Sequence, residues 1–280
     1  DVLVKNFRQL GFSKNDNQIW QSMIGQPHGI IMVTGPTGSG KTTTLYSTLK
    51  LLATPDVNVC SIEDPIELVE PAFNQMQVQK NIDLDFASGV RTLLRQDPDI
   101  IMIGEIRDKE TADIAIQAAL TGHLVLSTLH TNDAPSAVTR MLDIGIPPYL
   151  IQSSVLGIMA QRLVRTLCPH CKRPAEISDE AWNELVTPWK ATKPKQVYEP
   201  VGCLECRDTG YQGRKGIYEM FQFSNETRLM ITRDTDIHDL RRAAIRDGLQ
   251  PLRLSGANKV AKGETTVEEV LRVAPPPLDG

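Results

Sequence analysis

Six residues, Gly29-Ile30-Ile31-Met32-Val33-Thr34, lead straight into Gly35-Pro36-Thr37-Gly38-Ser39-Gly40-Lys41-Thr42, and Thr43-Thr44-Leu45-Tyr46 opens a stretch with helical character. An apolar run, a glycine-rich turn and a helix in that order form a phosphate-binding loop in its structural setting. The glycines let consecutive N–H groups converge at a helix N-terminus, where an anionic phosphate is favoured. Lys41 is placed to reach the β- and γ-phosphates and the Thr42 hydroxyl to ligate Mg²⁺. Gly35 through Thr43 are therefore the expected nucleotide-binding residues, with ATP as the triphosphate.

Other apolar runs supply further strands. Val57 to Ile62 ends on the acids Glu63-Asp64-Pro65-Ile66-Glu67, and Ile100-Ile101-Met102-Ile103 ends on Gly104-Glu105. Acids at the C-terminal ends of strands in a parallel sheet lie on the ligand side. Glu105 is thus the acid expected to lie beside the phosphate loop. Asp99, six residues earlier, falls about 20 Å away at ~3.3 Å per residue and belongs to the turn that starts the strand. A further strand, Leu124 to Leu129, carries His123 at one end and His130 at the other. His130 shares the edge with Glu63 and Glu105 and is the expected γ-phosphate or water contact; His123 acts across a subunit boundary or does nothing chemical.

Between these strands, helices are expected over Phe86 to Gln96, Lys109 to Thr121 and Asp133 to Asp143, followed by a long helix through Ala160-Gln161-Arg162-Leu163-Val164-Arg165. Alternation at this spacing predicts an α/β fold with a doubly wound, mainly parallel sheet. Near the start, Ser13 reads as the N-cap of a helix, and Leu10 and Phe12 either pack in the core or lie on the adenine. The chain opens on Asp1-Val2-Leu3 rather than Met, which predicts a piece of a longer protein.

Cys168-Pro169-His170-Cys171 and Cys203-Leu204-Glu205-Cys206 are two C-x-x-C knuckles, separated by 31 residues from Cys171 to Cys203. Such a pair predicts a four-thiolate, structural Zn²⁺ site, with His170 as a spare ligand. The helix around Glu180 to Val186 has to fold back to join the knuckles. Beyond them come a short strand region, Gly216 to Phe223, and helices over Glu226 to Ile231, Ile237 to Asp247, Leu252 to Ala261 and Val267 to Leu271, with Asp236 capping the second. The expected domains are an entry segment at 1–27, an ATPase core at 28–166, a zinc module at 167–210 and a mainly helical subdomain at 211–280.

The chain carries a net charge of −4 and 5% aromatic residues. That balance speaks against a nucleic-acid motor, which needs a basic channel and stacking aromatics. No apolar run approaches the ~20 residues of a membrane span.

With these residues in place the chain resembles the secretion ATPase superfamily, in particular the type II secretion and type IV pilus assembly motors. The resemblance rests on the phosphate loop, the acidic box at Glu63 to Glu67, the run from Asp97 through Glu105-Ile106-Arg107-Asp108, the histidine box from Thr121 to Asn132, and the four cysteines. It implies a RecA-like P-loop core, a homohexameric ring, and a cytoplasmic site at the inner membrane. There an N-terminal domain absent from this chain would grip the platform and adaptor proteins. The same resemblance makes Arg91, Arg95, Arg107 and Arg140 candidates to meet a neighbouring subunit's phosphate. Retraction motors generally lack the four cysteines, which favours assembly or secretion. Glu105 is expected to activate the attacking water, with Glu63 as the second choice. A nucleotide-binding scaffold without turnover is the alternative outside the motors.

Overall fold

The computed structural model describes residues 4–276. The expected opening linker at Asp1-Val2-Leu3 and the last four residues of the proline-led tail lie outside that range.

A seven-stranded sheet organises the chain. Its strands are β1 (Gly29–Thr34), β2 (Val59–Glu63), β3 (Asn74–Gln77), β4 (Ile100–Ile103), β5 (Leu124–Leu129), β6 (Val155–Leu167) and, from the C-terminal stretch, β9 (Tyr211–Gln222), in the order β3-β2-β4-β5-β1-β6-β9. All neighbours are parallel except β6 and β9. The short antiparallel pair β7 (Arg173–Ala175) and β8 (Val197–Glu199) stands apart.

Every residue of β1, β2, β4 and β5 is buried. That is the signature of a sheet covered on both faces, and the side chains sort by the two-residue period of a strand. Ile30, Met32, Ile101 and Ile103 join one core; Ile31, Val33, Ile100 and Met102 join the other. The second core is roofed by α1 (Phe7–Leu10), α2 (Lys14–Ile24) and α3 (Lys41–Leu52). The first core is closed by α4 (Phe86–Leu93), α5 (Lys109–Leu120), α6 (Ala134–Asp143), α7 (Pro148–Ser154) and α8 (Asp179–Val186). The C-terminal helices α10 (Ile237–Arg246), α11 (Leu252–Ala261) and α12 (Val267–Val273) complete it, beside the short α9 (Asn225–Leu229).

Side-chain caps start these helices where the sequence places them. Ser13 accepts from the Asp16 N–H, Asp85 from Ser88, Asp108 from Thr111, Asp133 from Ser136, and Asp236 from His238 and Asp239. Each such cap contributes about 1 kcal/mol and satisfies a backbone donor that the helix leaves open.

Two expectations are corrected. The long helix through Ala160 to Arg165 does not form: α7 stops at Ser154 and residues 155–167 are β6. Leu, Met, Ala, Gln and Arg favour helix locally, but hydrogen bonding to β1 on one side and β9 on the other overrides that weak preference. For the same reason the C-terminal strand is longer than Gly216 to Phe223, since β9 must follow β6 along most of its length. Of the two readings for Leu10 and Phe12, the packed one holds. Both are buried, and Phe12 meets Tyr218 edge-on at 4.4 Å and Phe7 in a stack at 5.0 Å.

Candidate functional site

Because β1, β2, β4 and β5 run in parallel, their C-terminal ends reach one edge together. Register pairs Thr34 with Leu129 and Ile103 with Ser127. Hydroxyls tie the edge laterally: Thr128 Oγ1 donates to the Gly104 carbonyl at 2.6 Å, and the Thr131 N–H donates to Thr34 Oγ1 at 2.8 Å. Beyond this edge lies a cavity of about 430 Å³, lined on one side by Thr37, Gly38 and Gly40 to Thr43 and on the other by Glu63, Glu67, Glu105 and His130.

The loop from β1 to α3 has glycine where only glycine fits. Gly35 has φ +151° and Gly40 φ +90°, and a Cβ at either would lie within 2.6 to 2.7 Å of Gln161 atoms. No side chain caps α3. The amides of its first turn are therefore left to serve an anion. Lys41 Nζ donates to the carbonyls of Gly35 at 2.8 Å and Pro36 at 3.0 Å. Burial holds the ammonium below its usual pKa, the Arg162 guanidinium adds to that, and Glu105 opposes it. Thr42 Oγ1 stands 3.5 Å from Glu67 Oε1. Ser39 Oγ is buried with no hydrogen-bond partner among the described residues.

The two expected acids differ in their surroundings. Glu63 is buried, and its carboxylate accepts from Tyr46 Oη at 2.6 Å, Ser61 Oγ at 2.6 Å and Gln75 Nε2 at 3.2 Å. Glu105 pairs through Oε1 with Arg107, while Oε2 is buried without a hydrogen-bond partner among the described residues. His130 Nε2 approaches that oxygen only to 3.5 Å, outside good hydrogen-bonding distance. A carboxylate with both oxygens engaged is a fixed anchor. One with an oxygen in reserve can take a proton or a metal-bound water.

Other expected residues lie elsewhere. His123 sits at the opposite end of β5, its Nδ1 2.8 Å from the Ala118 carbonyl. Arg91 pairs with Glu110 on the surface at 2.8 Å. Arg95 lies past the end of α4 and Arg140 on α6, both exposed. Three residues against or behind the cavity escaped the sequence reading. Arg214 on β9 lines it. Gln161 on β6 accepts from Thr44 Oγ1 at 2.9 Å, and the buried Arg162 donates to the Asn132 carbonyl at 2.6 Å. Gln161 and Arg162 fell inside the misread helix, and no motif flags Arg214.

At the far end of β6 the knuckles meet. The sulfurs of Cys168, Cys171, Cys203 and Cys206 all lie within 4.8 Å of one another. Backbone N–H groups of Gly202, Cys203 and Gly210 donate to the sulfurs of Cys171 and Cys206 at 3.2 to 3.3 Å. Burial pushes the Cys206 thiol up, yet the N–H groups of Cys203 and Gly210 and the neighbouring thiols bring it down to about 6. Four convergent sulfurs, two of them held by N–H donors, form a donor set that fits a tetrahedral zinc.

Comparison with known proteins agrees with this geometry. The family model described as "Type II/IV secretion system protein" matches residues 1–272. The chain is 58% identical to the type IV pilus assembly ATPase TfpB of Acinetobacter baylyi, across 98% of this chain and 47% of that protein. Against type II secretion system protein E of Pseudomonas aeruginosa it is 50% identical, across 96% of this chain and 53% of that protein. The chain thus spans about half the length of the curated relatives it matches. A crystal structure of the pilus retraction motor PilT with bound ADP superposes with a TM-score of 0.71 at 28% identity, covering 98% of this chain and 68% of that one.

Proposed function

This chain belongs to the type II/IV secretion system protein family, and from that premise we propose that it is the ATP-hydrolysing part of a motor that drives type IV pilus assembly or type II secretion. One observation carries the proposal: a glycine cradle holding Lys41 shares a cavity with Glu105, which keeps a buried oxygen in reserve. The first-turn amides and Lys41 would hold the β- and γ-phosphates, Lys41 exchanging its bonds to the loop carbonyls for phosphate oxygens. Thr42, with Glu67 beside it, fits a magnesium ion, which when bound neutralises the charge of the phosphates. Glu105 Oε2 would orient the attacking water and accept its proton, while Arg107 holds Oε1. Glu63, fixed by Tyr46, Ser61 and Gln75, would shape the cavity wall, and His130 would face the γ-phosphate.

The finer parts of the reading follow from the family. The core would be RecA-like and act in a homohexamer at the cytoplasmic face of the inner membrane. There the longer protein would push platform and adaptor partners, with no nucleic acid involved. His123 and the four candidate arginines would serve the contacts between subunits. The cysteine cluster would hold a structural zinc that closes the 167–210 excursion. No helix among the described residues is long and apolar enough to cross a membrane, and a peripheral placement agrees with that.

The test is ATP turnover with Mg²⁺ by the purified protein and two variants. Lys41→Ala should abolish turnover, and Glu105→Gln should keep nucleotide affinity but slow hydrolysis at least about a hundredfold, the scale of a lost general base. Turnover at the wild-type rate in Glu105→Gln would move the water role to Glu63 and overturn this assignment.

A further inference from the structure

Arg162 is charged, 5% exposed, and is not among the residues that line the cavity. Such a group is costly to bury unless its donors and its charge are both answered. Two of its N–H groups meet carbonyls on different segments: Nη1 donates to Gln161 O at 2.9 Å and Nη2 to Asn132 O at 2.6 Å. The first belongs to β6 and the second to the chain leaving β5. Between them passes the start of the phosphate loop, where a Cβ at Gly35 would lie 3.1 Å from Nη1.

Its charge is answered from the C-terminal side. Ala160 pairs with Glu219 and Arg162 with Ile217, so Arg162 and Glu219 are diagonal neighbours on one face of the β6–β9 ladder. Burial holds the guanidinium's pKa below its usual value, and Glu219 and Asp133 oppose that in part. Those two carboxylates are themselves structural. Glu219 accepts the N–H of Ala134 at 2.8 Å and of Leu252 at 3.3 Å, at the first residues of α6 and α11. Asp133 caps α6 and pairs with Arg241 of α10 at 3.0 Å. Arg162 thus lies behind Gly35 with its guanidinium on the exit of β5, and the two carboxylates whose charge acts on it hold the starts of α6 and α11 and Arg241 of α10.

We propose that Arg162 is a positioning residue: its guanidinium fork fixes the phosphate loop against the exit of β5, and Glu219 and Asp133 couple that loop to α10 and α11. The inference rests on the nucleotide reading above. In a motor it gives the C-terminal helices a direct mechanical hold on the loop that binds phosphate. Displacing α11 moves the Leu252 N–H away from Glu219, and displacing α10 moves Arg241 away from Asp133. Either change unbalances Arg162 and with it the turn at Gly35. A lysine at this position keeps the charge but gathers its donors on one nitrogen, and so lacks the two separate nitrogens with which the planar guanidinium meets the Gln161 and Asn132 carbonyls.

The test is the dissociation constant for Mg-ADP, measured by calorimetry on the full chain and on Arg162→Lys, Arg162→Gln, Glu219→Gln and the Arg162→Gln/Glu219→Gln double variant. Wild type sets the baseline; if it does not bind, the nucleotide reading fails whatever Arg162 does. With wild-type binding in hand, Arg162→Lys and Arg162→Gln should each weaken Mg-ADP about tenfold, the size of one charge-assisted hydrogen bond. The Arg162→Gln/Glu219→Gln pair should lose less than the product of the single losses, because the two residues act through one network. Arg162→Lys retains the charge facing Glu219 and Asp133 and so remains informative if Arg162→Gln does not fold. Wild-type affinity in Arg162→Lys would overturn the proposal, as would a lowered melting temperature with unchanged affinity or strictly multiplicative losses in the pair.

Discussion

Glu269, in the first turn of α12, offers a quantitative test of how the C-terminal layer is held to the sheet. Its side chain is 3% exposed, and its carboxylate accepts from the Arg165 N–H at 3.0 Å, Arg165 Nε at 2.9 Å, Arg165 Nη2 at 2.5 Å and Arg272 Nη2 at 2.7 Å. Burial alone would raise its pKa, but the hydrogen bonds from the two guanidiniums win and bring it from 4.5 to about 2. At about 1.4 kcal/mol per unit that shift corresponds to about 3 kcal/mol of linked stability. The guanidiniums are themselves 47% and 57% exposed. Screening reduces the figure to about 2 kcal/mol. Because the folded-state value is depressed, the contribution is complete above pH 4.5 and is lost as pH falls toward about 2. Glu269→Gln should therefore lower urea stability by about 2 kcal/mol at pH 7, or about 5 °C in melting temperature, and the gap to wild type should close on titration to acid. A gap that stays constant with pH, or no gap at pH 7, would refute the argument.

Three other outcomes follow from the geometry. Gly35→Ala puts a methyl 2.6 Å from both Gln161 O and Ser39 Oγ at a φ of +151°; Mg-ADP affinity should fall more than about tenfold, because overpacking of ~1–3 kcal/mol falls on the loop itself, and wild-type affinity in calorimetry would count against the cradle. Elemental analysis should find one zinc per chain, which Cys206→Ser removes together with much of the thermal stability of the 167–210 excursion; an equally stable, metal-free wild type would exclude a structural metal. Arg91→Ala breaks an ion pair whose partners are 53% and 61% exposed, so chemical denaturation should register less than about 1 kcal/mol, and a large loss of turnover in the assembled longer protein would then report a contact between subunits.

What could be seen in the sequence, and what could not, separates by the range of the interactions involved. The phosphate loop, the capped starts of α2, α5, α6 and α10, and the strands that end on Glu63 and Glu105 are written locally: glycines at fixed offsets, Asp or Ser before a periodic run, apolar runs closed by an acid. β6 is not written that way. Its residues Val155 to Val164 are almost all buried, because it lies between β1 and β9 and is covered on both faces, so the alternation that marks a half-exposed strand never appears. Its polar residues then mimic a helix's polar stripe. Gln161 and Arg162 are buried not on a solvated face but against partners 30 to 117 positions away, Asn132 and Thr44. A side chain whose reason for being polar lies that far along the chain leaves no local signature. Misreading β6 therefore hid the element that holds the phosphate loop from behind.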